Sequence, residues 1–533
     1  MDGGLAVVWS ACLKRLDVPR LALAGLPLLF LFLLAMLPLL RLLAEGGLQF
    51  SPGLLSDPYL RWRLLWSLGQ AAASVLLCLL LGAPLAWLLA RYRFAGRGLL
   101  LRLLMLPFVM PTLVAAMGVL ALFGPQGLFG VNLQDTPWLL LYGNLFFNLP
   151  LVVRAGCDGF SQVPASRLAA ARTLGATPWR AFWRVEWPAA LPWLLSSLCL
   201  VFLYCFSGFG LALILGGQRY ATLEVEIYTL VAYELNLADA GALALLVLAV
   251  CGGIAALYAW LARRLSTAAK AEPLPLKPVS KLREKLALSA ALAALLLFAG
   301  LPLFAVLWRG LAAASGWLAL WDDDARLALW NSARFTGLTV LAAGVLGLAH
   351  AFACGRSLAM RALIFLPFVA SPVCVAFGLL LLYPQWTAAL ALLLASYALL
   401  AYPFVAKALL TALDGQPPHW RAAARSLGAG PWRMFRRVQW PLLQPALRRG
   451  LAFAAATAVG EFAVTLFLSR PEWLTLTTLI YQRLGRPGQA NADAAMQLSC
   501  LLMLLAVIAF WIIETAGGAG HGENSRADAA KPE

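Results

Sequence analysis

Apolar runs about twenty residues long recur along this chain from end to end, and no other feature limits its fold as tightly. At 1.5 Å of rise per residue, each run forms a helix long enough to cross the roughly 30 Å hydrocarbon core of a bilayer. The runs fall at 21–43, 66–90, 99–122, 138–155, 191–214 and 240–262, and then at 286–308, 331–354, 360–382, 387–409, 447–468 and 494–513. The expected fold is therefore all-α and transmembrane, with about twelve helices in two six-helix halves. Composition agrees: 62% of the 533 residues are hydrophobic and only 12% are charged. That is about half the charged share of a soluble domain, so lipid has to be the solvent for most of this surface.

Charge orients the spans. The net charge of +17 is spread between apolar runs rather than gathered on one compact domain, which fits membrane topology and not a nucleic-acid partner. The linker 263–285 holds Arg263, Arg264, Lys270, Lys277, Lys281, Arg283 and Lys285 against two acids, with Pro273, Pro275 and Pro278 blocking helix. By the positive-inside rule it faces the cytoplasm. Segments expected outside carry Glu224, Glu226, Glu234 and Asp239, and Asp322 to Asp324; Arg61 and Arg63 run against the rule. Lys14, Arg15 and Arg20 precede the first run as in a signal peptide, but the run is too long for an h-region and lacks a small-x-small exit. It is expected to be retained, with both termini cytoplasmic in a multi-pass membrane protein. The expected organisation is a first half at 1–262, a cytoplasmic linker at 263–285, a second half at 286–515 and a disordered polar tail at 516–533.

The halves repeat one another. AAARTLGATPWRAFWRVEWP at 169–188 answers AAARSLGAGPWRMFRRVQWP at 422–441, an offset of 428 − 175 = 253 at the glycine. The same offset pairs Pro150 with Pro403, Phe209 with Phe462, Thr222 with Thr475, Ile227 with Ile480 and Tyr228 with Tyr481. Further upstream, LPFVMP ending at Pro111 answers LPFVASP ending at Pro372, an offset of 261 by subtraction. This is a duplication. With six spans each, the halves share one orientation and form a parallel repeat.

The best-matched block lies between the fourth and fifth helix of each half, on the expected cytoplasmic side. An alanine-rich turn ends at Leu174, Gly175 suits the positive φ of a helix C′ position, and Thr177-Pro178 suits N-cap and N1 of a second helix. On that helix Trp179, Phe182 and Val185 form an apolar face, and Arg180 and Arg184 a basic one. The second half repeats the pattern with Leu427, Gly428, Pro431, Trp432, Phe435, Val438, Arg433 and Arg437. Two matching apolar knobs suit a partner with two equivalent grooves. The alternatives are an interfacial amphipathic helix with Trp at the headgroups, or a helix-turn-helix DNA reader, which flanking membrane spans disfavour.

This block resembles the cytoplasmic signature loop of ABC importer permeases, written EAA, three residues, glycine, then a later proline. The resemblance implies a type I importer permease fold, with these loops as coupling helices seated in two copies of an ABC ATPase subunit. It also implies a periplasmic substrate-binding protein, and Mg-ATP bound on the partner with no cofactor on this chain. The signature glutamate falls on Ala169 and Ala422, so any contact made through that acid is lost or made elsewhere. FFNLP at 146–150, RVEWP at 184–188 and TLEVEIY ending at Tyr228 most resemble the thiamine importer permeases. Ferric-iron importer permeases are the alternative, and GEFAVTLFLSRPEWLTL from Gly460 fits either.

Asn148, Phe209, Glu461 and Phe462 are candidates for the cargo path or its gate. A carboxylate such as Glu461 suits a cationic thiazolium or Fe(III), but equally a packing acid paired with a neighbouring helix. Asn148, just before Leu149-Pro150, suits a helix kink. A proton- or sodium-coupled carrier is the rival class, since twelve spans in two parallel halves describe it too; near the midplane Glu461 and His350 are nearly the only titratable candidates for it. No catalytic residues and no metal ligands are expected: there is no Ser/His pair, acidic dyad, His/Cys cluster or GxxxxGK[ST] loop.

Overall fold

The computed structural model describes residues 18–49, 56–265, 275–312, 316–354, 357–468 and 470–515. The tail 516–533, Lys14 and Arg15 before the first run, and Lys270 and Pro273 of the linker lie outside them. Helix dominates, and the one sheet among the described residues is a two-residue parallel pairing of Tyr92–Arg93 with Lys277–Pro278.

Nine helices among the described residues are long and apolar enough to cross a membrane. The three other expected spans are broken. The 99–122 run becomes Arg97–Leu103, Leu106–Val109 and Thr112–Phe123, and the 360–382 run becomes Leu358–Leu363, Leu366–Val369 and Pro372–Leu382. Proline explains both: Pro107 and Pro367 lack the N–H that would continue the ladder, and Met110 and Ser371, just before Pro111 and Pro372, are held out of the helical region. The third, 447–468, divides into Trp440–Val459 and Ala463–Leu468 at Gly460-Glu461, as its repeat partner divides into Trp187–Phe206 and Phe209–Leu215.

The four π turns among the described residues share one cause. Phe32–Met36, Phe182–Glu186, Leu296–Gly300 and Phe435–Gln439 each end two residues before a proline, at Pro38, Pro188, Pro302 and Pro441. A proline ring collides with the carbonyl four residues back, and widening the preceding turn moves that carbonyl aside.

Chain contacts divide the molecule into two compact units that cut across the repeat. One holds the described parts of Met1–Arg41 and Leu504–Glu533 together with Arg326–Thr475; the other holds Leu42–Ala325 and Leu476–Met503. Each unit thus takes its first helix from the opposite half. Within the first, Pro38 packs against Gly378, the Tyr383 hydroxyl donates to the Leu33 carbonyl at 3.0 Å, and Phe30 meets Tyr402 edge-on at 6.2 Å. Within the second, Pro302 packs against Gly118 and the Tyr142 hydroxyl donates to the Leu297 carbonyl at 2.9 Å. Leu33 and Leu297, like Pro38 and Pro302, are 264 apart by subtraction, so the exchange is made the same way twice.

Candidate coupling loops and the buried polar groups behind them

Each loop is a short helix, a glycine turn and a second helix that continues into a membrane span. In the first, Ala165–Thr173 ends where Gly175 N–H donates to Arg172 O at 3.0 Å and Ala176 N–H to Ala171 O at 3.0 Å, with Gly175 at φ +77°. In the second, Pro418–Ser426 ends with Gly428 N–H on Arg425 O and Ala429 N–H on Ala424 O, both at 3.0 Å, and Gly428 at φ +73°. These are paired carbonyl caps closed by a left-handed residue. A Cβ at either glycine would meet nothing within 4 Å, so the demand for glycine comes from φ and not from space.

The following helices start differently. Thr177 caps the first, its hydroxyl accepting from Arg180 N–H at 3.4 Å with Pro178 at N1; Gly430 holds the same place in the second. Beyond the turns the tips match: Leu174 and Leu427 are each 87% exposed, and Trp179 and Trp432 each 69%. Exposed large apolar groups at fixed positions on a polar loop are what a docking knob requires. Phe182 and Phe435 are turned inward. Phe182 meets Trp87 edge-on at 6.1 Å and stacks on Trp179; Phe435 meets Phe352 at 5.7 Å and stacks on Trp432. The tryptophan is thus the tip of each knob and the phenylalanine its root.

A residue that sequence reasoning passed over sits at that root. Glu186, the last residue of its π turn, is buried, ion-paired with Arg91, and its Oε2 accepts from the Trp87 indole N–H at 2.7 Å. Arg91 and Trp87 lie about a hundred residues earlier, so no spacing in the loop announces them. Gln439 holds the equivalent place in the second half, and Phe352, ring to ring with Phe435 as Trp87 is with Phe182, has no N–H to offer.

Of the candidate path residues Asn148, Phe209 and Phe462 are buried and Glu461 is half-buried. Asn148 Nδ2 donates to Asn144 O at 2.9 Å and contacts Cys205 Sγ at 3.4 Å; its Oδ1 has no partner among the described residues. Its bond is to Asn144 O and not to the Phe146 carbonyl that Pro150 strands, so it ends a buried polar ladder rather than mending the kink. That ladder runs through Asn144 Nδ2 to Gln70 Oε1 at 2.7 Å and Ser74 Oγ at 3.1 Å, and through Gln70 Nε2 to Cys205 O at 2.7 Å. Phe209 meets Tyr228 edge-on at 5.5 Å, and Phe462 is buried beside Glu461. Glu461 Oε1 accepts from Val464 N–H at 3.0 Å, capping the short Ala463–Leu468 helix.

Arg63, which runs against the positive-inside rule, is not a bare charge. It is buried in an ion pair with Glu226 at 3.2 Å, and it donates to Tyr59 Oη at 2.7 Å and to Arg219 O at 3.1 Å. Arg61 stays exposed, and nothing in the structure explains it. His350 is buried, bonded to Met360 O at 2.9 Å and stacked on Tyr402. Among the described residues no three His, Cys, Asp or Glu side chains gather as metal ligands.

Comparison with known proteins gives the geometry its context. The family described as binding-protein-dependent transport system inner membrane component matches twice, over residues 82–267 and 289–516. The chain is 29% identical over 488 residues to the thiamine transport system permease protein ThiP of Escherichia coli (strain K12), covering 87% of this chain and 90% of that one. It is 30% identical over 518 residues to the ThiP protein of Brucella abortus (strain 2308), covering 91% and 94%. A molybdenum transport system permease protein, ModB of Mycobacterium bovis, is 34% identical over 189 residues, 33% of this chain and 70% of its own.

Proposed function

Because the chain belongs to the binding-protein-dependent inner membrane component family, as a fused two-halved ABC importer permease, we propose that its cargo is thiamine or a thiamine phosphate. Membership removes the secondary-carrier alternative: the family consists of transporter permeases that work with a separate ATPase and a binding protein, and it is not enzymatic. The cargo reading rests on coverage. The ThiP proteins match along about nine-tenths of both chains, while the molybdenum permease, though 34% identical, matches a third of this one.

In this reading cargo moves from periplasm to cytoplasm, both termini and the 263–285 linker are cytoplasmic, and Mg-ATP binds only on the partner. Two ATPase copies receive the loops at Gly175 and Gly428. The exposed Leu174, Trp179, Leu427 and Trp432 support that role, since the same apolar tip is presented twice on equally turned backbone. Glu461 acts in the outward gate by capping the helix break it adjoins.

The test is uptake by proteoliposomes holding this chain, its cognate ATPase and ATP, with the cognate binding protein outside. Labelled thiamine is expected to accumulate in an ATP-dependent way and ferric iron is not. ATP-driven uptake of iron without thiamine would overturn the cargo and leave the permease class intact.

A further inference from the structure

The Pro58–Arg91 helix is 34 residues long and is gripped near both ends by buried ion pairs. At one end Arg91 meets Glu186 of the first loop, with the Trp87 indole on the other carboxylate oxygen at 2.7 Å. At the other, Arg63 meets Glu226 at 3.2 Å, and the Tyr59 hydroxyl donates to Glu226 Oε2 at 2.8 Å. Arg63 and Arg91 are 28 residues apart by subtraction, about 42 Å along a helix, which exceeds the hydrocarbon thickness. Buried charge pairs hold their partners at fixed distance and angle, because a displaced partner is left charged and unsolvated.

Among the described residues the second half shows no fully buried charge pair at either place; its outer pair, Arg483 with Asp322, reverses the charges and is partly exposed. At the repeat offset of 253, Glu186 becomes Gln439 and Glu226 becomes Leu479. Its loop root meets the Asp323–Cys354 helix through the Phe352–Phe435 ring contact, and apolar faces slide at small cost where ion pairs do not.

We propose that the Pro58–Arg91 helix, continuous although Pro84 lies within it, is a strut that delivers movement of the first coupling loop to the Glu226 segment, with Arg91, Glu186 and Trp87 as its inner joint. The first half then carries the stiffer transmission of the two. Arg91 and Glu186 are positioning residues, and the inference rests on the reading of the loops as ATPase docking elements.

Removing one partner leaves a buried charge and threatens folding, so the informative variant removes both. Arg91→Met with Glu186→Met replaces the pair by apolar chains of similar length, a change that buried pairs often tolerate. In proteoliposomes with ATPase and binding protein, this variant should assemble and keep its thermal midpoint. Uptake per ATP hydrolysed should fall at least about fivefold, the lower end of ordinary coupling between sites. Gln439→Met in the second half should leave that ratio within about twofold of wild type, well under a typical coupling effect. A double-methionine variant with the wild-type ratio overturns the joint, and so does one that fails to assemble, since the pair then serves stability alone. A Gly175→Val, Gly428→Val chain in the same assay separates the two ideas. If it uncouples while the double-methionine chain does not, the strut fails and the docking reading stands; if neither uncouples, both fail.

Discussion

At their tips the two loops match: the same leucine and tryptophan are exposed to the same degree, on backbone turned by a glycine at φ +77° in one and +73° in the other. At their roots they part. The first is fastened by a buried carboxylate to Arg91 and Trp87, and the second, with Gln439 and Phe352, by aromatic packing. After a duplication, drift is restrained where both copies must fit the same partner and freer where each fits only its own neighbours. Identical tips on unlike roots are what the proposed docking on one partner requires: one surface presented twice on two different mounts.

That comparison is sharpened by changing the tips. Gly175→Val and Gly428→Val put a β-branched residue in a left-handed position, at a cost of about 1–3 kcal/mol each in local conformation. The double variant should lose most ATP-driven uptake while still inserting in the membrane. Gly→Asn at the same sites should retain most of it, because asparagine tolerates that φ. A Gly→Asn loss as deep as Gly→Val would show that something other than φ fixes these glycines.

A smaller effect is expected at the anchors. Trp179→Ala and Trp432→Ala each remove a side chain worth roughly 2 kcal/mol if it is a docking hot spot, about thirtyfold in affinity for the ATPase. Because the tips match, the two losses should agree within about 0.5 kcal/mol, the usual tolerance for independent sites. Titration of the ATPase against each variant in nanodiscs measures them. A large inequality would move the asymmetry from the roots to the tips.

What could be read from the sequence was local. The duplication, the apolar runs and the glycine turn are written in consecutive residues, and the prolines at 107, 111, 367 and 372 already mark where two expected spans break. Proline also sets the π turns, but their width follows from backbone geometry that hydropathy does not register. The exchange of first helices was hidden, because Pro38 and Gly378 are 340 residues apart by subtraction and nothing in either run names the other. Glu186 was hidden for the same reason. It is one acid in a basic loop, and only the fold brings Arg91 and Trp87 beside it. Arg63 shows the converse: counted as a charge it opposes the expected orientation, and placed in the fold it is neutralised by Glu226.

The central claim is that both loops seat in the ATPase, and cross-linking from their tips tests it most directly. A photo-reactive amino acid at Leu174 or at Leu427, each 87% exposed, should leave the fold intact. On irradiation of the assembled complex, both positions are expected to yield a covalent adduct with the ATPase subunit, in comparable amounts. Adducts with lipid alone, from a complex that still contains the ATPase, would place these loops at the headgroups and contradict the account.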